Sequence, residues 1–128
     1  MRARRNMLAC LAATAAVAVA LPAGGALSAP AQRAVVKKVT VADDYYAPTK
    51  VTIKKSQSIK WVWNSYNTDS HNVTLNSAPN GVKRGKFKSP TGTIGLHFQK
   101  QFTKPGTYKF LCTLHRTVMK MTVVVKNP

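Results

Sequence analysis

From Ala34 to the end of the chain, apolar positions recur every second residue more than at helical spacing. The segments VVKKVTV (35–41), KVTIKK (50–55), SIKWVWNS (58–65), HNVTL (71–75), TIGLHFQKQF (93–102), TYKFLC (107–112) and KMTVVVK (120–126) are rich in Val, Ile, Thr and aromatic residues. Such alternation puts successive side chains on opposite faces of an extended strand, one face for a core and one for water. Between the segments lie the turn-forming stretches APT, SYNTDS, SAPNG, SPTG and KPG. Seven or eight short strands at this spacing predict an all-β fold, an antiparallel Greek-key β-sandwich. No window supports a long amphipathic helix, and a short one in GVKRGKF (81–87) has nothing beyond its position to recommend it. In the last segment Met121, Val123 and Val125 share the expected inner face, with Lys120, Thr122, Val124 and Lys126 opposite. Trp61 and Trp63 share a face against Val62, and alternation alone does not say which face is core.

The first thirty or so residues follow another rule. MRARRN is basic, MLACLAATAAVAVAL is an apolar run of 15 residues, and PAGGALSAPAQ is small and turn-prone. That is the three-part order of a secretory signal peptide. The run falls short of the roughly 20 apolar residues that a spanning helix needs, which argues against the alternative of an uncleaved anchor. The expected signal peptide covers residues 1–31, with cleavage after Ser28, Ala29 or Ala31, and leaves a single domain over 32–128. Arg4 and Arg5 loosely fit a twin-arginine signal, so the export route stays open. Cys10 is expected to leave with the signal. The protein is thus expected outside the cytoplasm: periplasmic, in the cell envelope, or extracellular.

Export changes what the charge means. The chain carries +17; Arg2, Arg4 and Arg5 supply 3 of that, which leaves the exported part at +14 with Asp43, Asp44 and Asp69 as its acids. Such a field draws anionic partners. In the cytosol nucleic acid would be the default; for an exported monomer the expectation is an acidic partner protein or an anionic envelope surface, and no nucleic acid. The basic run Lys83, Arg84, Lys86 and Lys88 reads as a solvated loop, and Asp43-Asp44 as a turn after the first strand.

Once Cys10 is gone, Cys112 is the remaining cysteine, so no internal disulfide forms. A free thiol is unusual in an oxidising compartment. Here it lies in FLCTLHRTVMKM (110–121), three residues before His115 and close to Met119 and Met121, while His71 opens HNVTL. Thiolate and thioether with imidazole select copper, zinc or iron–sulfur chemistry over magnesium or calcium, and two His, one Cys and a weak axial Met form the donor set of a type 1 copper site. Zinc would want a firm fourth donor, and no spare acid lies near the Cys–His pair in sequence. A catalytic thiol pairing Cys112 with His115 would want an orienting Asn or Asp and an oxyanion motif, neither of which is visible; the chain is not expected to be an enzyme. His97 reads as structural or exposed.

At these residues the sequence resembles the small cupredoxins, the blue copper proteins of the plastocyanin, amicyanin and pseudoazurin kind, over nearly all of the mature domain. In that family an upstream histidine is followed by asparagine, as in HNV (71–73). A late segment runs Pro-Gly-x-Tyr-x-x-x-Cys-x-x-His and then a methionine, as in PGTYKFLCTLH (105–115). APTKVTIKKSQSIKWVWNS (47–65) is similar to the family's second and third strands, tryptophan included. The resemblance implies one copper ion held by His71, Cys112, His115 and Met119, with Met121 the alternative axial donor and core packing its other reading. It implies that Asn72 braces the site by hydrogen-bonding toward Thr113. It also implies an electron carrier that shuttles single electrons between redox partners through Cu(II)/Cu(I), with His115 as the port and Leu114, Arg116, Thr117 and Val118 around it. Copper delivery or buffering outside the membrane is the alternative role. The chain departs from the family at Arg116, where proline or glycine is common, in the three residues between His115 and Met119, and at Ser56, where glycine is usual before the third strand.

Overall fold

The computed structural model describes residues 15–20, 24–25 and 34–128. The signal-peptide expectation, with Cys10 and the cleavage positions Ser28, Ala29 and Ala31, otherwise lies outside the described residues. The chain divides into units Met1–Ala31 and Gln32–Pro128, and the fold below is that of the second. No helix among the described residues is long and apolar enough to cross a membrane.

Eight strands form: β1 (Val36–Ala42), β2 (Tyr45–Ala47), β3 (Lys50–Lys54), β4 (Ser58–Trp63), β5 (Thr74–Ser77), β6 (His97–Gln101), β7 (Gly106–Leu111) and β8 (Lys120–Lys126). They make two four-stranded sheets, ordered β2-β1-β4-β6 and β3-β8-β7-β5. The alternation read from β8 is realised, with Met121, Val123 and Val125 buried and Lys120 and Lys126 exposed. In β4 the tryptophan face is the core face: Trp61 is fully buried among Phe98, Phe102 and Phe110, whose ring centroids lie 5.1–6.4 Å away. Burying rings of this size supplies much of the apolar area that holds the two sheets together.

Three expectations are corrected. The sheets are mixed, because β1 pairs parallel with β4 and β3 parallel with β8. The chain crosses from one sheet to the other at β2–β3 and again at β3–β4, so β1 and β4 meet without a hairpin between them and run the same way. β2 has no counterpart among the expected segments, lying between the Asp43-Asp44 turn and the turn stretch APT; it forms because Tyr46 is fully buried while Tyr45 and Ala47 face out. HNVTL and TIGLHFQKQF yield shorter strands than their patterns suggest, since 71–73 and 93–96 are spent on the loops beside the histidines. In 81–87 there is only a 3-10 turn at Arg84–Lys86.

The β3–β4 crossing rests on Ser56, which holds the left-handed φ of 73°. Its N–H donates to Phe102 O at 2.7 Å and its carbonyl accepts from the Gln101 side chain at 2.9 Å. A non-glycine residue pays roughly 1–2 kcal/mol for this conformation, more than the extra chain entropy of about 0.5–1 kcal/mol that glycine loses on folding. Ser56→Gly should therefore stabilise the copper-free domain by up to about 1 kcal/mol in urea unfolding. A lower midpoint would show that the serine side chain itself holds the crossing.

Candidate metal centre

Two loops at one end of the sandwich bring the sequence-selected residues together. Cys112 follows β7, and its N–H donates to Met119 O at 3.1 Å, closing residues 112–119 into a short loop. Inside it the His115 N–H donates to Cys112 O at 3.2 Å, and the Met119 N–H to His115 O at 3.0 Å. Three residues between His115 and Met119 are thus enough to return the chain to the start of β8 with Met119 directly beside Cys112. On the other side His71 exchanges both backbone hydrogen bonds with Gly92, at 2.9 and 3.1 Å. The Trp63 indole N–H donates to both of those carbonyls, at 3.2 and 3.0 Å. Gly92 leaves room for Leu96, whose Cδ1 would sit 2.6 Å from an added Cβ.

His71, Cys112 and His115 each offer one ligand atom, and these atoms all lie within 4.8 Å of one another. Cys112 Sγ is 3.6 Å from His115 Nδ1, and the two imidazole centroids are 5.0 Å apart. His71, Cys112 and Met119 are fully buried, whereas the His115 side chain is 24% exposed. His71 Nδ1 is buried without a hydrogen-bond partner. Leaving such an atom unpaired costs roughly 1–3 kcal/mol, and a metal ion beside the thiol would satisfy it. Two imidazoles and a thiol, with a buried methionine whose backbone bonds to Cys112 and His115, suit a soft or borderline ion such as copper.

Asn72 ties the two loops together. Its Nδ2 donates to Thr113 Oγ1 at 2.7 Å and to Thr91 Oγ1 at 3.0 Å, its Oδ1 accepts from the Thr113 N–H at 3.0 Å, and its own N–H points at Cys112 Sγ at 3.5 Å. The Tyr46 hydroxyl donates to Asn72 O at 2.6 Å. Burial, and after it the neighbouring Cys112, push that phenol up, so it stays a neutral donor. Met121 is engaged elsewhere: its Sδ accepts from the Trp61 indole N–H at 3.1 Å in the core. His97 is exposed on β6 opposite Val62 and stands outside the group. Lys83, Arg84, Lys86 and Lys88 are exposed around the 3-10 turn.

Asp43 and Asp44 form the turn between β1 and β2 as read, but that turn faces the histidines. Asp43 Oδ1 lies 2.8 Å from His71 Nε2, and Asp44 Oδ1 lies 3.5 Å from His115 Nε2. Asp43 also accepts from the Thr68 N–H and Oγ1, both at 2.9 Å, and from the Asp69 N–H at 3.2 Å. The His71 contact first, then the Thr68 N–H, hold its carboxyl well below the usual carboxylate range. With Asp69 close to Asp44 and His115, all three acids of the chain gather at this end. One signal for this was present in the sequence: three acids among twenty basic residues. What it lacked was the pairing of residues 28 positions apart.

Comparison with known proteins points the same way. The family of copper binding proteins that includes plastocyanin and azurin matches residues 34–126. Amicyanin-alpha of Methylorubrum extorquens is 33% identical over 122 residues, which span 89% of this chain and 97% of that protein. Among solved structures, a reduced Cu(I) amicyanin variant superposes with a TM-score of 0.59 at 27% identity, over 71% of this chain and 82% of its own. The purple cupredoxin of Nitrosopumilus maritimus, at 21% identity, shares the fold with a TM-score of 0.59 over 70% of this chain and 99% of its own. The copper-containing nitrite reductase of Thermus scotoductus does so with a TM-score of 0.64 at 22% identity, over 80% of this chain; the chain spans a quarter of that enzyme's length.

Proposed function

The chain belongs to the plastocyanin/azurin family of copper-binding proteins, and from that premise we propose that it is an exported one-electron carrier whose ligands are His71 Nδ1, Cys112 Sγ, His115 Nδ1 and, axially, Met119 Sδ. Copper, when bound, supplies the one-electron Cu(II)/Cu(I) couple. The chain supplies the rest. His71 and Cys112 are held by the Gly92 bridge, by Trp63 and by the Asn72 clamp, so that little has to move when an electron arrives. His115 alone of the four is partly open to solvent, with exposed Leu114, Arg116, Thr117 and Val118 around it, which makes it the port to a redox partner.

The single observation that carries this reading is the buried, unpartnered Nδ1 of His71, a residue whose ligand atom lies within 4.8 Å of those of Cys112 and His115. The burial pattern favours electron exchange over copper handover. Metal transfer needs a receiving protein to replace ligands one at a time, and three of the four are fully buried. The test is to add Cu(II) to the mature domain and record its visible spectrum, then follow reduction and loss of copper to a chelator. An intense thiolate-to-copper band, rapid reduction and slow loss are expected. A colourless protein would refute the site, and fast handover with sluggish reduction would assign the protein to copper delivery.

Electron exchange with an acidic partner should fall as salt rises, because the field of a domain at +14 is screened over about 8 Å at physiological ionic strength. With the three acids collected beside the histidines, the steering charge lies on the remaining surface. Bimolecular rates that stay flat between low and high salt would remove the acidic partner from the proposal.

A further inference from the structure

An imidazole can bind a metal through either nitrogen, and free in water it populates both neutral tautomers. Nothing in the His71 ring itself selects Nδ1. The selection comes from its surroundings. Nε2 meets a carboxylate oxygen at 2.8 Å, and an ionised carboxylate can only accept, so Nε2 carries the hydrogen and Nδ1 keeps its lone pair. Nδ1 is the atom that is buried and without a partner, on a residue grouped with Cys112 and His115.

Asp43 is itself immobilised. Both of its oxygens are taken, by the Thr68 N–H and hydroxyl on one side and by His71 and the Asp69 N–H on the other. The loop between β4 and β5 therefore grips the carboxylate, and the carboxylate grips the ring. Asn67, buried in the same loop, anchors it by donating to Val41 O at 3.0 Å and Thr93 O at 3.1 Å. Asp44 makes no comparable contact: it is more exposed, and its nearest oxygen is 3.5 Å from His115 Nε2.

We propose that Asp43 is a positioning residue of the metal centre, fixing His71 as the Nε2–H tautomer, aiming its bare Nδ1 at Cys112 and His115, and placing a negative charge behind the ring that favours Cu(II) over Cu(I). The inference rests on the ligand assignment above. A carboxylate hydrogen-bonded to a ligating histidine raises its basicity, and loss of such a partner typically costs about 10–100-fold in metal affinity. The greater charge of Cu(II) makes it the state that loses more. Each tenfold loss confined to Cu(II) raises the reduction potential by about 59 mV.

Three variants test this at fixed pH. Asp43→Ala removes the acceptor and the charge. Asp43→Asn keeps an acceptor oxygen without the charge. Asp69→Asn removes a charge that lies beside His115 and leaves the Asp43–His71 contact in place, its backbone N–H still reaching Asp43. In copper-free protein, 15N NMR of the His71 ring should show the Nε2–H tautomer in the parent, in Asp43→Asn and in Asp69→Asn, and a mixture in Asp43→Ala. In loaded protein, Cu(II) affinity should fall at least tenfold in Asp43→Ala and by less in Asp43→Asn, which keeps the acceptor and loses the charge. The potential should rise in both, and rise less in Asp69→Asn. Should Asp43→Ala not fold, Asp43→Asn against Asp69→Asn carries the comparison through the potential. The inference is overturned if His71 keeps its tautomer in Asp43→Ala, or if Asp69→Asn raises the potential as much as the Asp43 variants do. A parent protein that never becomes coloured would instead overturn the ligand assignment, and the tautomer measurement would still report on Asp43.

Discussion

Cys112→Ser should abolish the intense thiolate-to-copper absorption and leave the sandwich folded. The two halves of that expectation have different physical origins. Colour and electronic coupling require a soft, deprotonated sulfur, and a serine hydroxyl is neither soft nor ionised near neutral pH. Folding depends on the Cys112 backbone, whose N–H closes the loop onto Met119 O, and on the β7–β8 ladder that ends there. Neither uses the sulfur. The Asn72 N–H donates to Sγ at 3.5 Å, an ordinary distance for sulfur, and the shorter C–O bond of serine weakens that one contact without touching the backbone bonds. The exchange buries a more polar group in a fully buried position, so a cost of about 1–3 kcal/mol is expected in unfolding of the copper-free protein. Visible spectra of parent and variant with equal copper, beside thermal melts without it, separate the two effects. A variant that remains intensely coloured would show that another residue supplies the sulfur.

How much of this was legible beforehand depends on the range of the interaction. Period-two alternation is a property of a strand and its own neighbours, so the burial of Met121, Val123 and Val125 and the pairing of Trp61 with Trp63 on one face were readable from short stretches. Cys112 and His115, three residues apart, were readable for the same reason. Partnership between strands is not local. That Val39 would lie beside Trp61 in a parallel pair depends on where the chain crosses between sheets, which no single segment records. β2 was missed because three residues bordered by turn formers carry too little pattern, and what makes them a strand is a buried tyrosine whose hydroxyl reaches Asn72. Asp43 shows the same limit at the site. A pair of aspartates after a strand reads as a turn on any local argument, and a turn it is. Its facing His71 follows from the grip of Thr68, which sits in another loop. Ser56 is the converse: the resemblance marked a departure from glycine there, and the left-handed φ persists with a residue that tolerates it less well.

The two methionines of the last segment should separate cleanly, one spectroscopically and one thermodynamically. On alternation alone they are equivalent, two positions apart. The structure gives them different neighbours. Met119 is fully buried in the turn before β8, and its backbone is bonded to both Cys112 and His115. Met121 lies within β8 opposite Phe110, and its sulfur accepts the indole N–H of Trp61. A thioether that accepts from a buried indole is poorly placed to serve a metal as well. Met119→Gln replaces a soft donor with a harder amide oxygen, which favours Cu(II); the visible spectrum should shift and the potential should fall. Met121→Leu conserves volume, a change that by itself costs under about 1.5 kcal/mol. It also strands the Trp61 N–H in the core, where an unsatisfied donor costs roughly 1–3 kcal/mol. The loss of stability should therefore exceed that of an ordinary Met-to-Leu swap, while spectrum and potential stay where they were. Measured together, spectrum, potential and unfolding midpoint give each variant a distinct signature. If the Met121 variant moves the copper spectrum and the Met119 variant does not, the axial donor is Met121 and the Trp61 contact belongs to the metal centre.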